Sequence, residues 1–146
     1  MQQVNELNLF IQKNLNFYEE KFRKMDDSGK SISWNWAAFF MGIYWMIYRK
    51  MYFKAGAFFI LSLVASSTPY IGGILNLAVL IGIGIYANAL YQDQIRGNME
   101  KTKGLLPEAK EIIAKKRGGT NLPLAIVLYA VHNIVVIAIL VMVSKI

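Results

Sequence analysis

The sequence predicts an all-α integral membrane protein, and three observations carry that prediction. Residues 55–92 run for 38 positions without a charge. As helix, that run would stretch roughly 57 Å, close to two crossings of a hydrocarbon core about 30 Å thick. Apolar residues make up 55% of the chain, and the mean hydropathy is +0.36. The 16 Lys and Arg residues gather into discrete blocks, as they do where charge sets the orientation of membrane spans.

Residues 1–30 read as an N-terminal amphipathic cytoplasmic helix. Val4, Leu7, Ile11, Leu15, Tyr18, Phe22 and Met25 recur at steps of three and four, which places them on one face. Glu19 precedes Arg23 and Glu20 precedes Lys24 in the favourable i,i+4 order. Asp26-Asp27-Ser28-Gly29 ends the helix. Its sticky face is expected to pack on its own membrane domain or on the bilayer. A partner-binding helix is the sharper alternative, because Val4, Ile11, Tyr18 and Met25 repeat every seven residues.

The membrane domain is read as residues 31–146. Within it, residues 31–48 are uncharged and hold Trp34, Trp36 and Trp45 together with Tyr44 and Tyr48. Aromatics with one polar atom concentrate at the headgroup boundary. Here they fill the whole segment, which suits an interfacial or re-entrant helix. Arg49, Lys50 and Lys54 follow. With the tryptophans they form the expected interfacial anchor, the cations snorkelling to phosphates.

Residues 52–68 and 71–91 are read as transmembrane helices, divided by the turn-forming stretch Ser66-Ser67-Thr68-Pro69-Tyr70-Ile71-Gly72-Gly73. Ala78, Gly82 and Ala89 put small residues on one face of the second, a surface for close helix approach; Gly84 lies on another side. The stretch 93–120 reads as a basic cytoplasmic connection. In it Pro107, Glu108 and Lys115-Lys116-Arg117 mark a short helix, with Leu106, Ala109, Ile112 and Ile113 lining one face. Residues 121–144 form the last span.

Charge orients these elements. The 66–73 turn has no Lys or Arg, whereas 1–30, 49–54 and 93–120 carry five, three and seven. Basic stretches stay inside. Segment 31–48 then starts and ends on one side, giving three spans with the N-terminus in and the C-terminus out. The alternative makes 31–48 a fourth span.

Chemistry has little to work with. The chain has no cysteine and one histidine, so no thiol nucleophile or thiolate metal site exists. No catalytic, cofactor-binding or metal-ligating residues are expected, nor an enzyme. The polar first 30 residues argue against a cleavable secretory signal. The net charge of +7 is assigned to lipid headgroups rather than nucleic acid. His132, Asn133 and Tyr129 in the last span, with Asn76 and Asn88 in the preceding one, are the candidate intramembrane polar cluster. Buried polar groups in lipid need partners, and the expected role is hydrogen bonding between spans.

Ser33-Trp34-Asn35-Trp36-Ala37-Ala38-Phe39-Phe40-Met41-Gly42, followed by Tyr48-Arg49-Lys50-Met51-Tyr52, resembles a bacterial family of small integral membrane proteins classed only as a domain of unknown function. Tyr86-Ala87-Asn88-Ala89-Leu90-Tyr91 and Lys116-Arg117-Gly118-Gly119-Thr120-Asn121 look like its later landmarks, so the resemblance covers roughly residues 17–125. Ile43 stands where that family usually has proline. The resemblance implies a multi-pass protein of the bacterial inner membrane and brings no substrate. Partners expected are membrane lipids and either another protein or further copies of the chain. The leading functional expectation is a non-enzymatic accessory or scaffold subunit. An oligomeric small channel or transporter using the His132/Asn cluster is the alternative, and a membrane-active toxin is a third class.

Overall fold

In a computed structural model, residues 2–145 are described, with side chains from residue 6 onward, and every regular element among them is a helix. Val4, expected on the amphipathic face, lies outside the residues whose side chains are described.

The N-terminal region is two helices, α1 (Gln2–Ile11) and α2 (Leu15–Ser28), rather than one. Gln12 and Asn14 adopt φ of 58° and 61°, left-handed values that stop an α-helix, so the seven-residue seam is interrupted. Ile11, Tyr18, Phe22 and Met25 are nonetheless buried. Both helices pack on α6 (Gly72–Lys101), and α1 also meets α7 (Pro107–Arg117). The amphipathic face is thus covered by its own chain. Gly29, at φ 63°, caps α2.

Segment 31–48 is an extended lead-in followed by two six-residue helices, α3 (Trp36–Met41) and α4 (Ile43–Tyr48). Gly42 between them has φ 53° and ψ −127°, a conformation closed to most residues with a Cβ. The chain therefore turns back, and α3 and α4 form a helical hairpin. The Gly42 tip sits beside Leu80 of α6, and the base at Arg49 sits beside Tyr91. Those eleven positions correspond to roughly 16 Å along the axis of α6.

α5 (Tyr52–Ser66) packs on α6 and on α4. α6 is 30 residues long, so it continues well beyond residue 91, and the connection expected over 93–120 begins inside it. Pro107 opens α7 and Lys115, Lys116 and Arg117 close it, as expected. Of the face predicted, Ile113 packs against the core and Ala109 is half-buried, beside the inward Lys110 and Ala114, whereas Leu106 and Ile112 face outward. α8 (Leu122–Val143) begins after an irregular stretch and packs on α4. Asn121 caps it, its Oδ1 accepting from the Leu124 N–H.

α6 and α8 are long and apolar enough to cross a membrane; α5, at 15 residues, is a shorter apolar helix. At Gly84, α3 lies close against α6. A Cβ there would lie 3.0 Å from that of Phe39. Gly82, on the expected small-residue face, opens onto empty space.

Candidate functional site

The polar centre of the molecule is the seam between the hairpin and α6. Asn88 is 0% exposed. Its Oδ1 accepts from Asn35 Nδ2 at 2.8 Å, and its Nδ2 donates to Ser33 Oγ at 3.1 Å and to the Ser33 carbonyl at 3.2 Å. Asn35 Oδ1 in turn accepts from the Ala38 N–H at 2.9 Å, capping α3. The lead-in runs beside α6, where the Ser33 and Asn35 N–H groups donate to the Ile85 and Gly84 carbonyls. Each buried polar atom of this pair of asparagines has a partner, as a low-dielectric interior demands.

At the hairpin base, one turn further along α6 beside Tyr91, Arg49 is 1% exposed. Its guanidinium carbon lies 4.4 Å from the centre of the Tyr18 ring and 5.2 Å from those of Tyr48 and Tyr91. Nη1 donates to the Lys13 carbonyl at 3.3 Å. Among the described residues no carboxylate pairs with it. The ring faces supply the negative potential instead. Burial raises the Tyr18 hydroxyl above its ordinary value, and the Arg49 charge opposes that rise. Arg49 therefore ties α2, α4 and α6 together from inside. It is not the surface anchor the sequence suggested, because tyrosines from three separate segments converge on it.

The other expected anchors divide. Trp36 is exposed, Trp34 half-buried and Trp45 buried. Lys50 reaches the end of α7 and donates to the Lys115 carbonyl at 2.9 Å. Lys54 donates to the Leu90 carbonyl and pairs with Asp93 at 3.0 Å.

The five-residue polar cluster does not assemble. Asn88 belongs to the hairpin seam. Asn76 donates to Ser66 Oγ at 2.9 Å and to the Gly72 carbonyl at 3.1 Å, at the opposite end of α6. Asn133 donates to the Tyr129 carbonyl of its own helix at 2.8 Å. His132 and Tyr129 share Tyr44 as a neighbour, their rings 5.9 and 5.2 Å from its own. His132 faces outward. Asn35 was missed as the partner of Asn88, although its position just before an apolar run is an N-cap signal.

No curated protein and no solved structure matches the chain. The family described as "Protein of unknown function (DUF2628)" matches residues 6–96. The match starts earlier than the resemblance read from the motifs and ends sooner, so Tyr86–Tyr91 falls inside it and Lys116–Asn121 outside. It takes in both asparagines, Arg49 and its three tyrosines. The chain therefore belongs to the DUF2628 family of proteins of unknown function.

Proposed function

We propose that this chain is a multi-pass protein of the bacterial inner membrane, acting as a non-enzymatic accessory or scaffold subunit. Three spans near 52–68, 71–91 and 121–144 anchor it, with its N-terminus inside. The observation that carries the membrane reading is α8. Its 22 residues hold no charge and extend roughly 33 Å, one hydrocarbon thickness. None of its most apolar 18-residue stretch is buried by the rest of the chain. A helix of that character needs a covering of lipid.

The hairpin supports the three-span count. Each of its helices has six residues, about 9 Å, far short of a crossing. A tip roughly 16 Å from the base reaches about half of a 30 Å core, and at the base the buried asparagines bond the irregular lead-in, Asn88 donating to the Ser33 carbonyl and Asn35 capping α3. Non-helical backbone at membrane depth is tolerated where protein covers it. The polar groups are consumed in holding the hairpin to α6, which favours a structural role. Outward-facing Leu106 and Ile112 on α7 give the cytoplasmic side an apolar contact surface.

Single cysteines in this cysteine-free chain test the topology. Ser67→Cys and Ser144→Cys should react with an impermeant maleimide from the periplasmic side, whereas Ser28→Cys and Lys103→Cys should not. Lys103 is the better probe of its loop because neighbouring Thr102 is 2% exposed. Outside labelling at Ser28 would replace three spans by four. Liposomes carrying the protein should leak protons no faster than empty ones; a flux abolished by His132→Gln would overturn the scaffold reading.

A further inference from the structure

Two cavities share Tyr52 in their walls. The first is an apolar groove of about 610 Å³ between α4, α5 and α8, walled by Ile47, Gly56, Phe59, Leu128 and Val135 among others. The second is a cavity of about 620 Å³ where α5 leaves the hairpin, lined by Lys50, Lys54, Lys101, Lys116 and Arg117 with Asp93 as its one acid. Asp93 is already paired with Lys54. Lys101, Lys116 and Arg117 make no ion pair among the described residues. Asn98 lines the same cavity, is 6% exposed, and its Nδ2 has no hydrogen-bond partner. A buried donor without a partner is costly unless something fills the site.

We propose that this bipartite cavity is a site for an anionic phospholipid, its phosphate among the cations and Asn98, and one acyl chain along the groove. The proposal rests on the membrane reading above. Charge fixes the headgroup class, because three unpaired cations and an orphan amide donor call for a phosphate oxygen. The apolar groove on the other side of Tyr52 selects a lipid over a free phosphate. Lys50 is held by the α7 carbonyls, so it offsets the negative end of that helix and leaves the outer cations for the ligand. Gly56 keeps the groove open, since a Cβ there would meet nothing within 4 Å.

Native mass spectrometry of the full chain in mild detergent tests this. Dioleoylphosphatidylglycerol and dioleoylphosphatidylcholine are supplied at equal concentration. The wild type should retain phosphatidylglycerol over phosphatidylcholine by at least about fivefold, the worth of one cation near an anionic lipid. The double variant Lys116→Gln/Arg117→Gln should lose that preference. Gly56→Leu, which fills the groove, should lose both adducts. Lys101→Gln serves as a second headgroup variant should the double variant melt at lower temperature than wild type. Equal retention of the two lipids by wild type overturns the proposal, as does displacement of the lipid by glycerol phosphate alone. A chain extracted from membranes by alkaline carbonate would instead defeat the membrane reading, whereas an integral chain without lipid preference defeats only the site.

Discussion

Asn88→Ala is the most decisive single change to the hairpin seam. The substitution removes the 2.8 Å bond from Asn35 and the donation to Ser33, and it leaves the Asn35 amide buried without an acceptor. A buried hydrogen bond contributes about 0.5–1.5 kcal/mol net, and an orphaned buried donor costs about 1–3 kcal/mol. The sum is about 2–4 kcal/mol, which lowers the melting temperature of a chain this size by about 4–16 °C. Trp34, Trp36 and Trp45 all lie in or beside the hairpin, so intrinsic tryptophan fluorescence during thermal unfolding in detergent reads the affected region directly. Asn76→Ala is the matched control. Its amide bonds at the half-exposed far end of α6, where a loss within about 0.5 kcal/mol is expected. An Asn88→Ala shift no larger than that of Asn76→Ala would refute the reasoning.

Three further outcomes follow from the same geometry. Arg49→Lys should lower stability by about 1–2 kcal/mol because an ammonium cannot lie flat against rings as a guanidinium does; Arg49→Met should melt above Arg49→Ala because it keeps the packed stem. Gly118→Ala places a Cβ 2.5 Å from the Phe10 carbonyl and should expose α1 to limited proteolysis, whereas Gly97→Ala meets nothing within 4 Å and should gain about 0.5–1 kcal/mol. Because burial raises the Tyr18 hydroxyl above its ordinary 10.0, the folded chain holds that proton more tightly than the unfolded chain. Its contribution is intact below pH 10 and is lost as pH rises further, so melts between about pH 9 and 11 should fall more steeply in wild type than in Tyr18→Phe.

Local punctuation made much of the architecture legible. The Ser66–Gly73 turn, the glycine that caps α2 and the proline that opens α7 act within a few residues of themselves. The break at Gln12–Asn14 was not legible, because a positive φ at a residue other than glycine is imposed by the packing on either side. The same limit governed the site. Asn88 has its partner in Asn35, 53 residues away, rather than in the polar residues of the neighbouring span, and nothing periodic connects the two. Arg49 sits in a row with Lys50 and Lys54 and reads as one of three equivalent cations. Only the convergence of Tyr18, Tyr48 and Tyr91 separates it from them.

The separation of Asn35 from Asn88 also sets an order of events during synthesis. A ribosome working at about 5–20 residues per second takes roughly 3–10 s to make the 53 residues between them. Throughout that interval the aromatic segment exists without the helix that receives it. Its two short helices are too brief to persist alone, so the nascent segment stays unlatched until the second half of α6 emerges. A truncation ending before Asn88 should leave Trp34 and Trp36 open to quenching by water-soluble agents, and a chain extended past Tyr91 should protect Trp34. The final fold is in this sense assembled backwards, an early segment being completed by a later one.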